Sequence, residues 1–319
     1  MLKDLTYRVV IIDDEEDHYE DFVEYIDKKL TTEGYILESE HFEELEELNL
    51  SRINEVDLFL VDLKFGKEDK GPDFIRKIRE NYLTDILFYS SDATGISNYR
   101  KSGEYQGVFF AIRDENNSEI ETILDRLIIK MIKRSNTPIS SRGIVLGCVA
   151  ELDNIIKTKI KELLQKIDPT IRKQLMDDCA KIYYLSYKGQ SKKIREFWGC
   201  DFHEGLKEWN CVKDSYKDYE IVDLVNNIRV TDSSKNFKVL LQIYKMSRGK
   251  DELYESIKNL SDLLNDRNIF AHVQEELRED GIYQFKHINE GAYLVLTEEK
   301  CQELRKSIIE YRKGIEQLH

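Results

Sequence analysis

Residues 7–17 read YRVVIIDDEED. The run from Tyr7 to Ile12 is mostly apolar, and Asp13 and Asp14 follow it at once. A short apolar run closed by polar residues fits a strand buried on both faces, as in a parallel sheet. The pattern returns downstream. Asp57–Asp62 (DLFLVD) is a strong strand, Asp85–Tyr89 (DILFY) a fourth and Gly107–Ile112 (GVFFAI) a fifth, with a weaker one at Tyr35–Leu37. Helical spacing fills the gaps. Asp17–Leu30 sets Phe22, Tyr25, Ile26 and Leu30 on one stripe. Phe42–Leu48 reads as a short acidic helix. Asp73–Glu80 follows Pro72 at a helix start, with Phe74, Ile75 and Ile78 inward. Ile96–Lys101 and Ser118–Lys133 complete the series. Five strands alternating with five helices predict an α/β doubly wound five-stranded parallel sheet over residues 1–134.

The pattern changes after SNTPISSR, residues 135–142, a polar stretch that reads as a linker. Long helices follow. Ile144–Ile167 carries Leu152, Ile155, Ile156, Ile160, Leu163 and Leu164 at helical spacing. Asp168-Pro169 reads as an N-cap and first helical residue, opening a helix through Leu175–Tyr187. Segment 188–216 reads as short, aromatic and broken. Two helices are expected near 219–228 and 235–246, and a long one from Asp251 to Val273. Gly281–Leu296 resembles a β-hairpin, and Thr297 can cap a terminal helix. Residues 143–319 are therefore expected to form an all-α domain with a small β-hairpin.

Charge separates the two halves. Residues 1–134 hold 18 Lys and Arg against 32 Asp and Glu, which accounts for the whole net charge of −14. The remainder carries 30 of each sign. The first half should repel nucleic acid, whereas the second can carry a local basic patch such as Lys188–Arg195 (KGQSKKIR). The five cysteines include no CxxC pair, so they read as reduced thiols rather than a disulfide frame or zinc site. No run of about eighteen apolar residues predicts a membrane span, and the N-terminus lacks a signal-peptide pattern. A cytoplasmic location is the expectation.

In an open parallel sheet, ligands collect at the carboxyl ends of the strands. Asp13 and Asp14 follow the first strand, Asp62 ends the third, Ser90 follows the fourth and Arg113 follows the fifth. Converging carboxylates repel and invite a divalent metal. Ser90 and Arg113 are suited to hydrogen-bond or pair with phosphate oxygens. The plainer reading is a set of solvated loop charges, but suitable residues at four separate strand ends argue against it. His18 and His41 read as exposed.

These positions resemble the receiver domain of response regulators. The matching motifs are VVIIDDEED, DLFLVDLKFG with GPDF after it, FYSSD and GVFFAIRD, over about the first 130 residues. The resemblance implies that Asp62 accepts phosphate from a histidine kinase or another phosphodonor. It implies a Mg2+ site made by Asp13, Asp14, Asp62 and the carbonyl of Lys64. Ser90 and Phe110 match the family's switch hydroxyl and switch aromatic. One residue departs: the family's lysine after the fifth strand is here Arg113. Arginine keeps the charge but is bulkier and planar, so the exchange is not conservative.

The second half has one short element with chemical content, Arg267-Asn268-Ile269-Phe270-Ala271-His272, at the end of a helix with the stripe Leu253, Ile257, Leu260 and Leu264. Asn268 and His272 are four apart and share a helical face. A histidine can move a proton near neutral pH, and an arginine can stabilise developing charge on a phosphate. The trio suits metal-free RNA cleavage by the neighbouring 2′-OH. The simpler alternative is a solvated arginine and a helix-end histidine. The element resembles the RxxxxH signature of HEPN domains, helical modules that usually dimerise and often cut RNA. By that resemblance Arg267 and His272 are catalytic, Asn268 supports them, and two copies build one site without a cofactor.

Two functional readings stay open. One is a signal-regulated endoribonuclease, a homodimer acting on RNA such as tRNA, with a stress or anti-phage role by analogy. The other is a non-enzymatic signalling adaptor whose helical half dimerises. A DNA-binding factor is disfavoured, because the second half has no basic recognition helix and no net charge.

Overall fold

The computed structural model describes residues 2–43, 48, 50–63, 84–102, 107–198, 221–226, 232–286 and 293–319. It divides into two compact units. Unit 1 comprises Met1–Ser141 and Thr297–Lys306, and unit 2 comprises Arg142–Leu296 and Ser307–His319.

Unit 1 is built on five parallel strands: β1 (Thr6–Ile12), β2 (Ile36–Phe42), β3 (Leu58–Asp62), β4 (Asp85–Ser90) and β5 (Val108–Ile112). Their order is β2-β1-β3-β4-β5, so the direction of winding reverses between β1 and β3. Ile12 lies opposite Val61, and Asp62 opposite Tyr89. The central strands β1, β3 and β4 are mostly apolar because both faces are covered, whereas β2 (ILESEHF), at the sheet edge, is half-buried throughout. On one face Val10, Ile12, Phe59, Val61, Ile86 and Phe88 pack with Ile53 and with Ile96 of α2 (Ala93–Ser102). On the other, Phe22 of α1 (Glu16–Thr32) meets Tyr89 edge-on, ring centres 5.1 Å apart. Tyr25 of α1 donates to Asp125 of α3 (Ser118–Ser135) at 2.8 Å.

β2 is longer than the sequence suggested and takes in Phe42, which was expected to open an acidic helix. The expected helix Asp73–Glu80, with Pro72 before it, lies outside the described residues. Gly34 turns the chain between α1 and β2 at φ +77°, and a Cβ there would stand 2.7 Å from Cβ of Arg305. Arg305 is buried in unit 1. Its Nε donates to the Glu33 carbonyl at 2.7 Å and an Nη to Asn136 at 2.8 Å, and its guanidinium lies over the Tyr35 ring.

The expected linker shrinks to a break at Asn136 and Thr137, because Pro138 opens α4 (Pro138–Lys166). Proline suits a first helical turn, where its missing N–H costs no bond. Unit 2 is mostly helical: most of α4, then α5 (Pro169–Trp198), α6 (Ile221–Asn226), α7 (Ser233–Arg248), α8 (Glu252–Lys258), α9 (Leu260–His272) and the end of α10 (Glu298–Glu316). α5 runs on through residues expected to be broken, up to Trp198. Asp168, Asp232, Asp251 and Thr297 accept backbone N–H bonds at the starts of α5, α7, α8 and α10. The single long helix expected from Asp251 to Val273 is instead two, meeting at Asn259. The expected hairpin gains a third strand: β6 (Glu275–Leu277), β7 (Tyr283–Lys286) and β8 (Tyr293–Val295) form an antiparallel sheet. Among the described residues, no helix is long and apolar enough to cross a membrane.

Candidate functional site

The carboxyl edge of the parallel sheet gathers the charged residues of unit 1. Asp13 continues β1 by one residue, its N–H donating to the Phe42 carbonyl at 3.1 Å. Asp62 and Ser90 are the last residues of β3 and β4. Arg113 follows β5, and its N–H donates to the Ser90 carbonyl at 2.9 Å. Parallel register therefore delivers all four to one edge. Asp13, Asp14 and Asp62 each present a carboxylate oxygen within 4.8 Å of the other two. Asp13 and Asp62 are buried and Asp14 is exposed, so the cluster opens to solvent on the Asp14 side.

The cluster is already partly neutralised. One Nη of Arg113 lies 3.4 Å from Asp62 Oδ2 and 3.8 Å from Asp13 Oδ2, and the other lies 3.8 Å from Glu15. The same Nη that faces the aspartates donates to His18 Nδ1 at 2.7 Å. The same Nδ1 lies 3.1 Å from Asp13 Oδ2, and His18 Nε2 lies 3.4 Å from Glu15. Tyr89 donates its hydroxyl to Asp13 Oδ2 at 2.5 Å. Burial first, then the charge of Asp13, holds the Tyr89 hydroxyl well above its ordinary pKa of 10. Asp13 Oδ1 accepts from the Glu15 N–H at 2.9 Å. His41 Nε2 donates to the Asp13 carbonyl at 2.9 Å, and its ring stacks on Tyr19. His18, His41 and Tyr89 had no role in the sequence reading, yet each fixes or answers Asp13.

Ser90 is buried and its Oγ accepts from the Asp92 N–H at 3.3 Å. Phe110 is half-buried and stacks between Phe88 and Tyr99, centroids 5.8 and 5.6 Å away. Lys64 lies outside the described residues. The three carboxylates of this cluster offer hard oxygens, which suits Mg2+. Asp13, Asp14 and Asp62 would hold such an ion, which would supply positive charge at this edge.

In unit 2, α9 carries Arg267, Asn268 and His272. Arg267 is half-buried and Asn268 exposed, and an Nη of Arg267 donates to Asn268 Oδ1 at 3.1 Å. His272 is exposed on the last residue of the helix, with no hydrogen-bond partner among the described residues. At 100° per residue, Arg267 and His272 leave the helix about 140° apart. Arg267 and Asn268 line a cleft of ≈ 440 Å³ with Asp153, Lys157, Asp232, Ser233, Ser234, Asn236 and Leu264. The structure thus brings Arg267 and Asn268 together in one cleft and leaves His272 one turn further on. The side chains of Lys188–Arg195 lie outside the described residues.

No family model, curated protein or solved structure matches this chain. The functional reading therefore rests on the chain's own residues. Most of the acidic edge was legible as strand ends followed by carboxylates. The cleft was not, because its residues come from segments up to 115 positions apart in sequence, Asp153 to Asn268.

Proposed function

We propose that this protein is a signal-regulated ribonuclease whose first unit works as a receiver-type phosphoryl switch. The observation that carries the first part is the meeting of Asp13, Asp14 and Asp62 with Ser90 and Arg113 at one sheet edge. In this reading an oxygen of Asp62 attacks the phosphorus of a phosphodonor. The bond from phosphorus to the donor breaks, its electron pair leaves with the donor, and an aspartyl phosphate remains. Asp13 and Asp14 anchor the Mg2+, Arg113 pairs with phosphate oxygens, and Ser90 hydrogen-bonds the product.

The second part assigns RNA cleavage to α9. The angular separation of Arg267 and His272 favours a site completed by a second copy of the chain over one made within a single copy. There a histidine takes the proton of the ribose 2′-OH, the oxygen attacks the adjacent phosphorus, and the 5′-oxygen departs with a proton from the opposite histidine. The products are a 2′,3′-cyclic phosphate and a 5′-OH. This chemistry uses no metal, so EDTA leaves it intact. The exposure of His272 also fits the adaptor reading, in which the helical unit only binds a partner.

The test uses the full chain and total tRNA, with and without acetyl phosphate and Mg2+. Loss of a positioned acid or base costs about 10²–10⁴ in rate, so His272→Ala should abolish cleavage that wild type performs. Cleavage by His272→Ala equal to wild type, or none by wild type under either condition, removes the enzyme and leaves the adaptor. In parallel, beryllofluoride with Mg2+ should bind wild type and not Asp62→Ala. Equal binding by the two would remove the phosphoryl switch.

A further inference from the structure

Among the described residues, the cleft of unit 2 holds two carboxylates and two cations, and their pairing is uneven. Asp153 accepts from the Asn236 side-chain amide at 3.1 Å on one oxygen and pairs with Lys157 at 2.8 Å on the other. Asp232 accepts from the Lys235 N–H at 2.8 Å and pairs with the Lys235 ammonium at 3.2 Å. Asn236 is fully buried and also takes the Tyr183 hydroxyl at 3.0 Å, so this floor is fixed. Both carboxylates are thus committed. Arg267 pairs with neither. Its one hydrogen bond is to the neutral Asn268, and its Nε is buried with no partner among the described residues.

A half-buried guanidinium with no counter-charge among the described residues is costly, and a fork of five donors suits a planar or tetrahedral oxyanion. The ammonium of Lys157 and the hydroxyls of Ser233 and Ser234 line the same cleft and can donate to the same anion. At ≈ 440 Å³ the cleft falls in the size range of small-molecule sites and is large enough for one nucleotide. We propose that it is a phosphate-binding subsite for a ribonucleotide, with Arg267 as its principal anion ligand and Lys157, Ser233 and Ser234 beside it. This rests on the reading of unit 2 as an RNA-handling module. It changes the part given to Arg267, which holds a phosphate within one copy while His272 stands apart. The phosphate comes from a free mononucleotide or from a nucleotide within an RNA strand.

The full-length protein is titrated calorimetrically with inorganic phosphate, adenosine 5′-monophosphate, unphosphorylated adenosine and a short oligoribonucleotide. Phosphate and the monophosphate should compete for one site per chain, and adenosine should bind at least about tenfold more weakly than the monophosphate. Tighter binding of the oligoribonucleotide assigns the site to RNA, and equal or weaker binding assigns it to free nucleotide. Arg267→Gln should weaken the monophosphate about tenfold or more. Ser234→Asp covers the case of misfolding, since an acid in the first turn of α7 suits that helix yet repels an anion. His272→Ala should bind as wild type does. Absence of phosphate-dependent binding, or binding unchanged in both Arg267→Gln and Ser234→Asp, overturns the proposal. The same proteins are assayed for tRNA cleavage. Binding that depends on Arg267 without any cleavage keeps the subsite and removes the ribonuclease. Cleavage that depends on His272 without nucleotide binding does the reverse.

Discussion

Tyr89 and Asp13, both fully buried and 76 residues apart, share a hydrogen bond of 2.5 Å at the end of the parallel sheet. A neutral phenol here answers a buried carboxylate. Tyr89→Phe removes the donor and leaves the carboxylate in place. Bonds to charged groups are worth about 1.5–3 kcal/mol, so urea unfolding without metal should show a loss of that order. That oxygen loses its phenol donor and, among the described residues, keeps only His18 and Arg113 beside it, so Mg2+ should recover part of the loss in the variant. A midpoint equal to wild type without metal would show that the bond carries no stability.

Alkaline pH should weaken unit 1 through its buried phenols. Burial, then the charges of Asp57 and Asp85, raises Tyr7 above 10, and burial with Asp13 raises Tyr89. A group with a raised folded pKa contributes fully below its unfolded value and loses that contribution as pH climbs toward the folded one. Stability should therefore hold up to about pH 10 and decline above it. Tyr89→Phe should flatten that decline. A decline of the same slope in the variant would assign it to other groups.

Arg113 sits where a divalent cation would compete with it, 3.4 Å from Asp62 and 3.8 Å from Asp13. A lysine places a compact ammonium on a flexible stem and cannot bridge both aspartates and His18 with a planar fork. Arg113→Lys should raise Mg2+ affinity by up to about tenfold, equal to about 1.4 kcal/mol. Calorimetric titration of Mg2+ into the two proteins measures this. Equal or weaker binding by Arg113→Lys would show that the arginine does not oppose the ion.

Arg305 ties α10 to the turn between α1 and β2. Its head group is buried and bonded to Glu33 and Asn136 over the Tyr35 ring. Arg305→Ala leaves the Glu33 carbonyl and Asn136 without their donors. It should cost on the order of 3 kcal/mol, read as a lower denaturation midpoint of the sheet. A variant that unfolds at the wild-type midpoint would rule out that role.

The parallel sheet was readable because strands buried on both faces are continuous apolar runs, as in Tyr7–Ile12 and Asp57–Asp62. The acidic edge was readable for the same reason, since the runs of β1 and β3 stop at the carboxylates of that edge. His18 was not, because its partner Arg113 is 95 residues away and an isolated histidine in a first helical turn looks solvated. Tyr89 was hidden by its own apolarity inside DILFY. The break at Asn259 escaped notice because Leu253, Ile257, Leu260 and Leu264 keep helical spacing across it. The cleft and the place of Arg267 in it depend on long-range packing of α4, α7 and α9, which no local pattern reports.

The inclusion of residues 297–306 in unit 1 has a consequence for how the chain is made. A ribosome releases the five strands well before it releases Arg305. Between residues 141 and 306 lie on the order of ten seconds of synthesis at about 5–20 residues per second. For that interval the Glu33 carbonyl and the Tyr35 ring wait for a partner not yet translated. A chain that ends prematurely between residues 142 and 296 therefore carries an unfinished unit 1, however complete its five strands.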